Sequence, residues 1–183
     1  ARRTATRAYP GAPPHPTTPL REIIVDDHKI VDDSIKFLLT SDRAIEVVGE
    51  GSSLAEGELL TRSTAFDVLV VDVSLGDGSG LDLVRHARGR GPRLGIVVLT
   101  MHDDDNTLLE ALEGGASALV LKSASADDVI SAVKYAALVP NSFTAAGLAG
   151  AMRRRDHPDH PKLTTRETEV LQRLVSGDSV AAA

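Results

Sequence analysis

At 183 residues the chain has room for one domain of ordinary size and a smaller piece, and a core of about 120 residues needs no disulfide or metal staple. Its 42% hydrophobic and 25% charged residues are the balance of a globular protein, and with 3% aromatics and no Trp the core falls to Val, Leu, Ile and Ala. The absence of Cys excludes disulfides and thiolate metal sites, and a net charge of -6 argues against a chain coated for nucleic acid, though not against a small basic module joined to an acidic domain.

No apolar run reaches the roughly 20 residues that span a bilayer, so no membrane partner is expected. Residues 1–20 lack the apolar segment of a secretory signal, and the expected compartment is the cytoplasm. Residues 1–19 carry Pro10, Pro13, Pro14, Pro16 and Pro19 among Arg and Thr and no acids, which predicts a flexible tail.

From Leu20 the pattern alternates. Ile23-Ile24-Val25 predicts a short buried strand ending in acids, and Val31, Ile35 and Leu38/Leu39 a helix after Asp26-Asp27. Ile45 to Val48 reads as a second strand, and Leu54, Ala55, Leu59 and Leu60 as a second helix. Val68 to Val71 is apolar throughout, as strands covered on both faces tend to be. The loop from Leu75 to Gly80 precedes a third helix marked by Leu81, Val84 and Ala87. Ile96 to Leu99 is a fourth strand, and Leu108, Leu109 and Leu112 mark a fourth helix that should stop on a left-handed cap at Gly114-Gly115. Leu119 to Leu121 is a fifth strand, followed by a fifth helix through Val129, Ile130, Val133 and Leu138 that ends before Pro140. Five strand-helix repeats predict an α/β domain with a parallel sheet covered on both faces, in the flavodoxin-like order 2-1-3-4-5.

In such a sheet the site lies at the carboxyl ends of the strands. Those ends carry Asp26-Asp27, Asp72, Thr100 and Lys122; the second strand ends peripherally in Glu50-Gly51 and is given no role. Two carboxylates about 4 Å apart repel by about 4 kcal/mol at an effective dielectric of 20, so three of them at one edge call for a cation. Oxygen donors without thiolate or imidazole select Mg²⁺, or Mn²⁺ in its place. Lys122 adds a positive charge and Thr100 a hydroxyl donor for phosphoryl oxygens, and an ionised Asp is a nucleophile that needs no separate base.

The segments IVDDH (24–28), VVDVSLGDGSG (70–80), VLTMHDD (98–104) and GASALVLK (115–122) resemble the receiver domains of two-component response regulators of the NarL/FixJ type. The resemblance covers residues 20–140. It implies that Asp72 accepts a phosphoryl group from a sensor histidine kinase or a small phosphodonor. It also implies that Asp27, Asp72 and the Ser74 carbonyl ligate Mg²⁺, that Asp26 holds a metal-bound water, and that Thr100 and Lys122 hold the phosphoryl group. The domain on this reading is not an enzyme beyond its own phosphorylation and dephosphorylation. Three positions depart from the family pattern. Gly76 replaces a common Pro and should loosen the loop. Met101 replaces a small residue and should restrict access to the acyl phosphate. Leu119 replaces an aromatic that switches rotamer on activation, so the signal should be transmitted differently.

Residues 141–161, with Gly147, Gly150, Arg153-Arg154-Arg155 and two prolines, read as an interdomain linker whose first half allows some helix. Leu163 to Ser179 begins as a helix capped by Thr164 or Thr165, with Glu167 in its first turn, Glu167 and Glu169 both suiting the N-terminal dipole, and Val170, Leu171 and Leu174 as its apolar face. It resembles the opening of a LuxR-type helix-turn-helix, assigned to 162–183. The sequence stops before a recognition helix, so promoter DNA is an expected partner of a full-length protein but not of this chain; a homodimer is also expected. Two other readings compete. A haloacid-dehalogenase-like phosphohydrolase requires an acid two residues after the nucleophile, where Ser74 stands. A phosphate-independent receiver would serve as an interaction or dimerisation module.

Overall fold

The computed structural model describes residues 18–28, 37 and 39–156. The strands are β1 (Leu20–Val25), β2 (Ile45–Gly51), β3 (Val68–Asp72), β6 (Gly95–Thr100), β7 (Ala118–Leu121) and β8 (Thr144–Ala145), with a small hairpin of β4 (Ser74–Leu75) and β5 (Gly78–Ser79) after β3. The helices are α1 (Leu54–Ser63), α2 (Gly80–Arg88), α3 (Asp105–Gly114), α4 (Ala126–Leu138) and α5 (Leu148–Asp156). The predicted first helix falls largely outside the described residues; positions 37 and 39–41 are helical and Leu39 is fully buried.

The main sheet runs β2-β1-β3-β6-β7-β8 with every pairing parallel. Its first five strands stand in the predicted order, and β8 is an addition from the segment read as linker. Two residues bonded beside β7 are too short for any period-two pattern to reveal them. Strand alternation divides the core in two. Ile23, Val25, Leu69, Val71, Ile96 and Val98 meet Leu81, Val84 and Ala87 of α2 and Ala111 of α3 on one face. Ile24, Val68, Val70, Val97 and Leu99 meet Val129, Val133 and Ala136 of α4 on the other. The core is built from the expected branched aliphatics and Ala. Two residues counted toward predicted apolar faces, Leu59 and Leu138, are instead exposed, because each is at the margin of a stripe whose buried side is carried by Gly57 and Thr61 in α1 and by Val129, Val133 and Ala136 in α4.

Caps set the helix ends. Ser53 and Ser79 accept the amides of Glu56 and Leu81, Asp104 that of Thr107, and Ser125 forms a reciprocal capping box with Asp128. Gly115 takes the left-handed conformation (φ 88°) that ends α3, as predicted. The loop after β3, which carries Gly76, is ordered by hydrogen bonds. It closes as the β4–β5 hairpin, and the Asp77 carboxylate accepts the amides of Leu54 and Ala55 at 2.6 and 3.1 Å, tying it to the first turn of α1. These bonds hold Asp77 below the ordinary carboxylate range. Arg88 joins more distant segments: its guanidinium donates to the carbonyls of Gly115 and Pro140 and to the Ser117 hydroxyl.

Glu22 is an anomaly of this core. It shares the face of Ile24 in β1, is fully buried, and neither carboxyl oxygen has a hydrogen-bond partner among the described residues. Burial alone pushes its carboxyl up to about 8. The folded chain therefore keeps a proton that the unfolded chain releases near 4.5, and stability falls as pH rises from about 4.5 to about 8, then levels. Glu22→Leu should remove that slope and raise stability by on the order of 3–5 kcal/mol at pH 8.5, and by much less at pH 5. Urea unfolding of both proteins across this range checks it; parallel pH profiles contradict it.

A second unit begins at Ala149. Within it α5 carries Arg153, Arg154 and Arg155 in its last turn, where cations suit the carbonyl end of a helix. The region read as the helix-turn-helix opening, 162–183, lies outside the described residues, as do Pro158 and Pro161 of the predicted linker.

Candidate functional site

Chain order reverses direction across the sheet between β1 and β3, which flank one another although β2 separates them in sequence. The carboxyl ends of these two central strands carry Asp26 and Asp72. The open crevice of a doubly wound sheet lies there. Both aspartates are held almost completely out of solvent, at 3% and 2% exposure, whereas the side chain of Asp27 is 29% exposed.

Lys122, one residue past β7, reaches back across the sheet edge. Its amide donates to the Thr100 carbonyl at 2.8 Å, which sets the strand's end, and its side chain is 1% exposed. Nζ donates to Asp72 Oδ2 at 2.6 Å and stands 2.6 Å from Asp26 Oδ2. Burial works to lower the ammonium's pKa, but Asp26 and Asp72 outweigh it and hold the pKa above its ordinary value, so Lys122 is charged throughout the physiological range. One ammonium against three carboxylates leaves the pocket anionic.

The predicted residues are thus mostly brought together. Asp26, Asp27, Asp72 and Lys122 converge. Ser74 opens β4, and its amide donates to Asp72 Oδ1 at 3.3 Å. Thr100 is buried at the end of β6, but its hydroxyl is engaged locally, accepting the His102 amide at 3.1 Å and donating to the His102 carbonyl at 3.3 Å. Met101 is 62% exposed, so it extends into solvent and is not packed down as a cover. Leu119 is buried in register with Ala145 of β8.

His28 has no role in the sequence-based expectation, which takes the donors as oxygen alone; the structure places its ring among the aspartates. The His28 amide donates to Asp26 Oδ1 at 2.8 Å, turning the chain back after β1. Its Nδ1 then stands 2.7 Å from Asp27 Oδ1, 3.2 Å from Asp72 Oδ2 and 3.5 Å from Asp26 Oδ1. Ligand atoms of Asp26, Asp27, His28 and Asp72 all lie within 4.8 Å of one another, a span that a divalent cation fits. The local signal was the Asp-Asp-His run itself, since a short turn places its third side chain over the first two.

The response regulator receiver domain profile matches residues 23–134. The DNA-binding transcriptional activator DevR/DosR of Mycobacterium tuberculosis is 34% identical over 165 residues, covering 86% of this chain and 75% of that protein. The crystal structure of a LuxR-family two-component response regulator from Aurantimonas sp. SI85-9A1 superposes with a TM-score of 0.67 at 29% identity, over 76% of this chain and 99% of that one. The isolated receiver domain of RcsB from Salmonella enterica serovar Typhimurium, determined with the phosphomimetic BeF3⁻, gives 0.63 at 26% identity over 73% and 99%. With the profile spanning more than half of its length, and with three strand ends supplying an acidic pocket and a buried lysine, this chain belongs to the response regulator receiver family, among regulators of the NarL/LuxR group.

Proposed function

We propose that this receiver takes a phosphoryl group on Asp72 from the phosphohistidine of a sensor kinase, or from a small phosphodonor, and so controls dimerisation and DNA binding by a LuxR-type domain that residues 162–183 begin. The observation that carries the reading is the setting of Asp72: a buried carboxylate at a central strand end, with a buried lysine 2.6 Å from Oδ2 and two further aspartates beside it.

The ionised Asp72 carboxylate attacks phosphorus, the bond from phosphorus to the donor's nitrogen or oxygen breaks, and the electron pair leaves with the donor. Asp27, Asp72 and the Ser74 carbonyl would hold Mg²⁺, with Asp26 as a further acidic neighbour; the ion would supply positive charge against the carboxylates and the phosphoryl group. Lys122 is already placed to follow a phosphoryl oxygen on Asp72. Thr100 has to exchange its contacts with the His102 backbone for a contact with that group. Such an exchange would alter the segment between β6 and α3, where a partner could read it. DevR/DosR, named a DNA-binding transcriptional activator, supports the output assigned here.

Acetyl phosphate with Mg²⁺ should add one phosphoryl group to the wild-type chain by intact mass and none to Asp72→Asn. A wild-type chain that gains nothing, or a variant that gains as much, removes this function and leaves a phosphate-independent interaction module.

A further inference from the structure

We infer that His28 is a nitrogen ligand of the cation pocket, which makes this receiver favour a first-row transition-metal ion such as Mn²⁺ or Co²⁺ over Mg²⁺ by a margin that His28 sets. The inference rests on the reading of the acidic pocket as a divalent-cation site.

Three carboxylate oxygens converge on one ring nitrogen. The hydrogen-bonding geometry from Nδ1 is satisfied only toward Asp72 Oδ2, at 3.2 Å. Asp27 Oδ1 stands nearer, at 2.7 Å, yet it is shielded from solvent and has no hydrogen-bond partner among the described residues. One N–H cannot serve three acceptors, and the tautomer protonated on Nε2 presents a lone pair to all of them. Atoms with lone pairs, gathered this closely around a common point, are the lining of a positive centre. Lys122 fills that role only in part: its Nζ shares Asp72 Oδ2 with His28 and touches Asp26 Oδ2, whereas the Oδ1 atoms of Asp26 and Asp27 face His28 and not the ammonium.

The spacing fits adjacent corners of one coordination polyhedron. Cis ligands of an octahedral ion with bonds of about 2.1 Å are about 3.0 Å apart. The separations from Nδ1, 2.7 to 3.5 Å, bracket that value. Imidazole changes which ion gains. Mg²⁺ prefers oxygen and holds its water, whereas Mn²⁺, Co²⁺ and later ions bind imidazole with increasing strength. An all-oxygen pocket discriminates between these ions less than one with His28 in it.

The chain has no Trp, so binding is read by calorimetry and, for Co²⁺, by its visible absorption. The full chain, His28→Asn, His28→Gln and Asp27→Asn are titrated with Mg²⁺ alone and with Co²⁺ alone. Excess Mg²⁺ is then added to the Co²⁺ complex, so that only the shared site is counted and other histidines drop out. The ratio of Mg²⁺ to Co²⁺ dissociation constants should fall by about tenfold or more in both His28 variants, with loss of the Mg²⁺-sensitive Co²⁺ absorption band. A ratio that stays within about twofold of wild type in both overturns the ligand role while leaving the cation site standing. Mg²⁺ that neither displaces Co²⁺ nor responds to Asp27→Asn overturns the cation site, and the role of His28 with it.

Discussion

Gly80→Ala is expected to destabilise the receiver by about 3 kcal/mol or more, although it adds a single methyl group. Gly80 opens α2 and donates its amide to the Val73 carbonyl at 2.8 Å, which folds the β4–β5 hairpin back beneath Asp72. A Cβ at this position would overlap the Asp72 carbonyl oxygen and come within 2.9 Å of the Asp72 carbonyl carbon and of Val71 Cγ2. None of these can yield cheaply. Val71 is fully buried in the core, and β3 is bonded on both sides, to β1 and β6. The strand or the start of α2 must move, and with either goes the placement of Asp72. Gly76→Ala is the matched control: its Cβ would meet only Asp27 Oδ2, at the ordinary distance of 3.6 Å, and should cost less than about 1 kcal/mol. Urea midpoints of the two variants measure the contrast. Equal, small losses would show that the close approach at Gly80 relaxes freely.

Lys122→Met should be nearly as costly, for an electrostatic reason. Met keeps the bulk of the side chain but removes the ammonium that lies 2.6 Å from both Asp26 and Asp72. Two carboxylates at 1% and 2% side-chain exposure are then left facing each other without that counter-charge. Breaking a buried pair in this way costs about 3–5 kcal/mol, most of it the burden of the charge left behind. Two remedies should work. Asp26→Asn added to Lys122→Met removes one of the facing charges and should recover part of the loss. Millimolar Mg²⁺ should raise the unfolding midpoint of Lys122→Met more than that of wild type, because binding to the folded state adds stability and the vacated charge deepens the attraction. Chemical denaturation of the four combinations with and without Mg²⁺ gives the coupling directly. A Lys122→Met protein as stable as wild type in metal-free buffer would mean that the ion triad contributes nothing net.

The sequence was most informative where the physics is local. Val68 to Val71 announced a strand buried on both faces, and β3 is buried at all five positions. Gly114-Gly115 announced a left-handed cap, and Gly115 provides it. Convergence of Asp26, Asp72 and Lys122 also followed, since a parallel sheet gathers strand ends whatever their separation in the chain. Other features were out of reach. β8 has no pattern of its own and exists because β7 offers it an edge. Asp77 looked like one more turn residue, and its hold on the first turn of α1 depends on where two loops meet. Leu59 fits a helical period as well as Leu60 does, and only the placement of α1 against the sheet sorts the exposed one from the packed one.

By itself, then, the order of residues determined the alternation of strands and helices, the layers they form and the kind of chemistry gathered at one edge, because periodicity and side-chain identity act over a few residues. Tertiary structure alone decided that the His28 ring meets Asp72, that Glu22 is sealed in without a hydrogen-bond partner among the described residues and that Gly80 abuts the Asp72 carbonyl. Each of these depends on distances of a few ångströms between atoms whose encounter is set by how segments pack, and spacing along a chain carries no record of those distances.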